Sequence, residues 1–75
     1  MSINLNHLFI LKTNIKDETG KWLLKKFLDN HPEVQQWNLD LNDIDCVLRV
    51  VSPTLCYETI IALVNKAGFD ASELV

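Results

Sequence analysis

The chain has 75 residues, 48% of them hydrophobic and 23% charged, a composition that belongs to a globular rather than a disordered protein. Ten acidic against seven basic residues leave a net charge of −3, so the chain has no field to concentrate nucleic acid or to dock on an anionic membrane. A chain of this size buries only about 60% of the surface its unfolded form exposes, so every element has to feed one core, and residues 1–75 are expected to form a single domain.

Met1 to His7 carry no basic segment followed by a long apolar core, so neither a signal peptide nor a lipid anchor is expected. No apolar run approaches the roughly 20 residues of a membrane span. His7 to Thr13 is a short apolar run suited to a first strand. From Asp17 to Asn30, Leu24, Phe27, Leu28 and then His31 recur at helical spacing, which predicts a first helix closed by Pro32, with His31 covering its end. Lys16, Lys21, Lys25 and Lys26 cluster here but are interrupted by Asp17 and Glu18, the pattern of a solvated helix face.

Beyond the proline, Trp37, Leu39 and Leu41 alternate with Asn38 and Asp40, the signature of a half-buried second strand with Trp37 in the core. Asn42 to Asp45 form a polar turn. Cys46, Leu48 and Val50 then alternate with Val47, Arg49 and Val51 as a third strand, antiparallel to the second, with Cys46 facing inward. Ser52, Pro53 and Thr54 give a helix-start signal, with Cys56 as the alternative cap. Tyr57, Ile60, Ile61, Val64 and Ala67 fall on one stripe of a second helix, and Gly68 is a left-handed terminator. Phe69 to Val75 remain for a short fourth strand or an extended tail.

The order strand, helix, strand, strand, helix, strand predicts an α+β, ferredoxin-like βαββαβ sandwich: a four-stranded antiparallel sheet with two helices on one face. Asn38, Asp40, Asp45, Val47 and Arg49 are expected on the other face, towards solvent.

With these elements in place the chain resembles the heavy-metal-associated domain, the fold of small copper chaperones and of the amino-terminal modules of metal-pumping ATPases. The resemblance runs from about Leu8 to Ala71 and rests on Ile15 after the first strand, on Glu33-Val34 where the family has Gly-Val, on the alternating strand pair, and on Gly68-Phe69. In that family the first loop reads Met-x-Cys-x-x-Cys and its two thiolates hold a soft metal ion. Counting back without gaps from Val34 sets the family's methionine on Ile15, its first cysteine on Asp17 and its second on Gly20. The resemblance therefore implies a degenerate metal site, since hard oxygens at Asp17 and Glu18 are poorly matched to Cu(I).

Cys46 and Cys56 are expected as two buried, reduced thiols rather than a disulfide, in a cytoplasmic protein, both acting as small hydrophobes. His7 and His31 lack the short spacing of a zinc site, and Asp40, Asp43 and Asp45 read as turn formers rather than a calcium loop. With two glycines there is no phosphate-cradling loop, and there is no Gly-x-Ser-x-Gly elbow. No catalytic residue, cofactor or metal is assigned. RNA stacking is disfavoured because the third strand, Cys-Val-Leu-Arg-Val-Val, offers no aromatic ring.

The leading expectation is a noncatalytic domain that acts through contacts with another protein or with itself. Lys16, Asp17, Lys21 and Trp22 are its candidate partner-binding residues; Trp22 lies two positions off the helix stripe, where it either tucks over the sheet edge, the expected place for it, or stands partly exposed beside Lys21 and Lys25. The alternative is a divergent metal carrier or sensor that uses Cys56, Asp17 or the histidines. A third is a small-ligand module on the open sheet face.

Overall fold

The structure, a computed structural model, describes residues 7–74. The expectations for Met1 to Asn6 and for Val75 fall outside these residues. Six elements follow in order: β1 (Leu8–Thr13), α1 (Glu18–Leu28), β2 (Gln36–Asp40), β3 (Val47–Val51), α2 (Tyr57–Lys66) and β4 (Ala71–Glu73). The strands form one antiparallel sheet in the order β2-β3-β1-β4, the ferredoxin-like βαββαβ arrangement.

Register sorts the strand residues into two faces. Phe9 opposes Val50 and Leu11 opposes Leu48 across β1 and β3, while Trp37 opposes Val50 and Leu39 opposes Leu48 across β2 and β3. This face packs on Leu24 and Leu28 of α1 and on Ile60, Leu63 and Val64 of α2, with Ile15 from the first loop, to make the core. Trp37 lies at the rim and is only half-buried, because its indole N–H donates to Asp29 Oδ1 at 2.7 Å beside the end of α1. Phe9 meets the ring of Tyr57 edge to face at 4.8 Å, a favoured aromatic geometry.

The other face is less wet than the alternation predicts. Asn38 and Arg49 are exposed, but Val47 and Val51 are buried. The reason lies in strand order: β3 is an interior strand, so Leu8 and Gln36 flank Val51 while Asp40 stands beside Val47.

Several boundaries also move. Cys46 is not a strand residue; it closes the β2–β3 turn in the left-handed region at φ 47°, and β3 starts one residue later. Its N–H donates to the Asp43 carbonyl at 3.0 Å and it is still buried. The turn itself is built by Asp40 and Asp43, whose carboxylates accept the N–H groups of Asn42 and Asp45, as short acidic side chains do. α1 ends at Leu28 rather than Asn30: Asn30 Nδ2 donates back to the Lys26 carbonyl and His31 N–H to that of Leu28, forming a turn ahead of Pro32.

Cys56, and neither Ser52 nor Thr54, is the N-cap of α2. Ser52 is buried and its Oγ accepts the N–H groups of Thr54 and Leu55, so it builds the turn before the helix. Leu63 joins Ile60 and Val64 as a buried residue of α2, outside the predicted stripe, while Ile61 and Ala67 are half-buried. Gly68 follows at φ 98°, in the conformation that favours glycine.

Candidate functional site

The loop between β1 and α1 is anchored from three directions. Thr13 N–H donates to the Asp45 carbonyl at 3.1 Å, and Thr13 Oγ1 donates to the Cys46 carbonyl at 2.8 Å while accepting the Ile15 N–H. Asn14 clasps the loop ahead of β4: its N–H donates to the Asp70 carbonyl at 3.3 Å, and its Oδ1 accepts the Asp70 N–H at 2.8 Å. Ile15 then turns inward and is fully buried. The loop is thus tied to both neighbouring turns and nailed to the core.

Asp17 is exposed, has extended backbone, and caps α1: its Oδ1 accepts the Gly20 N–H at 2.8 Å. Such a cap satisfies one of the orphan donors at a helix start. Gly20 is buried, and a Cβ built there would lie 2.9 Å from Ile15 Cγ2 and 3.0 Å from Phe69 Cζ. Any side chain at position 20 has to displace a core isoleucine or an aromatic ring. The side chains of residues 14–20 offer hard oxygens, among them the Asp17 carboxylate that caps the helix, the exposed Glu18 and the Asn14 amide that holds Asp70, and no sulfur, a set poorly matched to a soft metal ion.

Trp22 is 55% exposed rather than tucked over the sheet edge, the Nζ of Lys26 sits 3.9 Å from its ring centroid, and the pair makes a cation–π contact. Lys26 is the lysine whose ammonium lies over the ring. Lys25 instead pairs with Asp29 one turn on. That hydrogen bond, followed by the one from the Trp37 indole, holds the Asp29 carboxyl below its ordinary value of 3.8. Lys16 is exposed, and Lys21, half-buried, lines a groove of about 280 Å³ with Glu18 and residues 38–42. Lys16, Asp17, Lys21 and Trp22 thus share the amino-terminal end of α1, with Lys21 turned towards β2.

The two cysteines are unpaired: Cys46 is buried in the β2–β3 turn, whereas Cys56, expected buried, is exposed because it stands at the N-cap ahead of α2. Cys56 Sγ is 3.3 Å from Thr59 Oγ1 and 3.5 Å from Glu58 Oε2. His31 Nδ1 accepts the Glu33 N–H. Among the described residues, no three His, Cys, Asp or Glu side chains come together as a group that could hold a metal ion. The open sheet face carries a groove of about 230 Å³ lined by Leu8, Gln36, Trp37, Asn38, Arg49 and Val51. The Asn14–Asp70 clasp and the packing of Phe69 at Gly20 are not legible in the sequence, because each joins residues that only the fold brings together, whereas the Trp22–Lys26 pair is a helical i,i+4 neighbour that the spacing could have shown.

No protein-family model and no curated protein matches the chain. Solved structures do. The copper(I)-loaded first domain of the human copper chaperone for SOD1, CCS, matches with a TM-score of 0.76 at 20% identity, over 88% of this chain and 89% of that one. The yeast copper transporter domain Ccc2a, solved in apo and Cu(I)-loaded states, matches with a TM-score of 0.77 at 16% identity, over 91% and 94%. The apo HMA domain of a copper chaperone for superoxide dismutase matches with a TM-score of 0.73 at 22% identity, over 100% of this chain and 78% of that one. The chain therefore has the fold of copper-chaperone HMA domains, and at these identities the likeness is one of fold. No helix among the described residues is long and apolar enough to cross a membrane.

Proposed function

We propose that this chain is a noncatalytic, cytoplasmic HMA-like domain in which the metal loop has become a structural cap, and that it works by protein contact through Lys16, Asp17, Lys21 and Trp22. The observation that carries the reading is the packing of Gly20 against Ile15 and Phe69 beneath the Asp17 cap. On the gapless count, those two positions are where the relatives' fold would need thiolates. Beside the exposed Lys16 and Asp17, this end presents a tryptophan with a lysine over its ring, and tryptophan is among the residues enriched where proteins meet.

Copper(I) titration against a competing chelator tests the first half: the expected result is no stoichiometric capture. Stoichiometric binding abolished by Cys56→Ser or Cys46→Ser would overturn it in favour of a divergent metal carrier. For the second half, affinity capture from the native cell extract is compared between wild type and Trp22→Ala. Loss of a specific partner in the variant supports the contact surface, and an unchanged set of partners removes it.

A further inference from the structure

We propose that the groove on the open face of the sheet binds a small aromatic carboxylate, its acid group held by the Arg49 guanidinium and its ring laid on Leu8 and Val51. The site is independent of the contact surface above, because α1 packs on the opposite face of the sheet. Register places the open-face residues in rows across the strands. Gln36, Val51 and Leu8 make one row, and Asn38, Arg49 and Ile10 make the next. Arg49 stands on an interior strand with its side chain exposed, and among the described residues it makes no ion pair, the salt bridge there joining Lys25 to Asp29. Its neighbours in the row are an amide and an aliphatic chain, so neither neutralises its charge.

The lining of the groove selects the occupant. Leu8, Val51 and Trp37 supply apolar surface, Gln36 and Asn38 supply amide donors, and Arg49 supplies the charge, with no carboxylate among the lining residues. The grooves beside α1 and beside Asn14 differ in kind: Glu18 and Asp40 line the first, and Asp70 the second. A guanidinium without a carboxylate partner is matched by a planar anion that accepts two parallel N–H groups. The charge on this face agrees. On a chain of net −3, the open-face strand residues set Lys12 and Arg49 against Asp40, which lies a row away beside Val47 and already accepts the Asn42 N–H. Size decides the body of the ligand: two rows span about 7 Å along the strands and three strands about 10 Å across them. A groove of about 230 Å³ on that footprint takes one or two rings and not a long chain. Apolar walls with a few converging polar groups are the usual make-up of a small-molecule site.

Titration of the isotope-labelled full chain with sodium naphthoate, followed by backbone amide chemical shifts, tests the assignment. A ligand of this size on an open groove is expected to saturate with a Kd of roughly 1 mM, with shifts confined to Leu8, residues 36–38 and residues 49–51. Arg49→Gln is expected to weaken binding roughly fivefold, and the neutral isostere naphthamide should lose as much on wild type. Asn38→Asp sets a carboxylate across from Arg49 in the register and should weaken binding equally. Both side chains are exposed, so the amide spectrum and the urea midpoint of each variant should report an intact fold. Acetate, which has the charge and no ring, should leave the spectrum unchanged. Failure to saturate by roughly 10 mM naphthoate overturns the proposal, as do shifts centred on another face. So do an amide that binds as well as the acid, acetate that matches naphthoate, or undiminished binding in either variant.

Discussion

A methyl group at position 20 has to push into Ile15 Cγ2 and Phe69 Cζ, which lie 2.9 and 3.0 Å from where its carbon would sit. Ile15 is fully buried and has little room to give. Overpacking of this sort costs about 1–3 kcal/mol, against a gain of at most about 1 kcal/mol from replacing a helical glycine. Gly20→Ala is therefore expected to destabilise the chain by about 1–2 kcal/mol, read as a lower urea midpoint at constant slope; equal or greater stability would show that the loop is loosely packed. At this scale the sequence is partly legible. An aspartate ahead of an amphipathic stripe marks a helix start, as Asp17 does, but nothing local to Gly20 announces the ring of Phe69, 49 positions further along.

Between elements, Asp29 is the link from the end of α1 to β2. Its carboxylate accepts from Lys25 on its own helix and from the Trp37 indole across the gap, and these two contacts depress its pKa. Because it titrates lower folded than unfolded, the stabilisation is fully present above the unfolded value of about 3.9 and is lost as pH falls through the folded value. Asp29 is exposed, so solvent screens the effect. Asp29→Asn should shrink the drop in urea midpoint between about pH 6 and about pH 2.5, followed by tryptophan fluorescence; an undiminished drop would assign the acid sensitivity to other carboxylates. The helices and strands themselves were readable from period 3.6 and period 2. Their ends were not, since Cys46, Ser52 and Asn30 were placed by hydrogen bonds to backbone outside their own pattern.

For the molecule as a whole, the sandwich separates the two thiols, burying Cys46 at the β2–β3 turn and exposing Cys56 at the start of α2. An aromatic disulfide reagent should therefore titrate one thiol rapidly in the native chain and the second only on unfolding. Cys56→Ser should abolish the fast phase. A fast phase of two equivalents would mean that the turn around Cys46 opens readily.

The sequence by itself determined the architecture, because alternation and helical spacing are local consequences of burying one face of each element, and it determined the absence of thiols between Asn14 and Gly20. Tertiary structure alone decided what that loop became. The Asn14–Asp70 clasp spans 56 positions, and the packing of Phe69 on Gly20 and the burial of Val47 and Val51 likewise depend on which strands and loops become neighbours. That adjacency follows from closing one core over the sheet, and no window of sequence contains it.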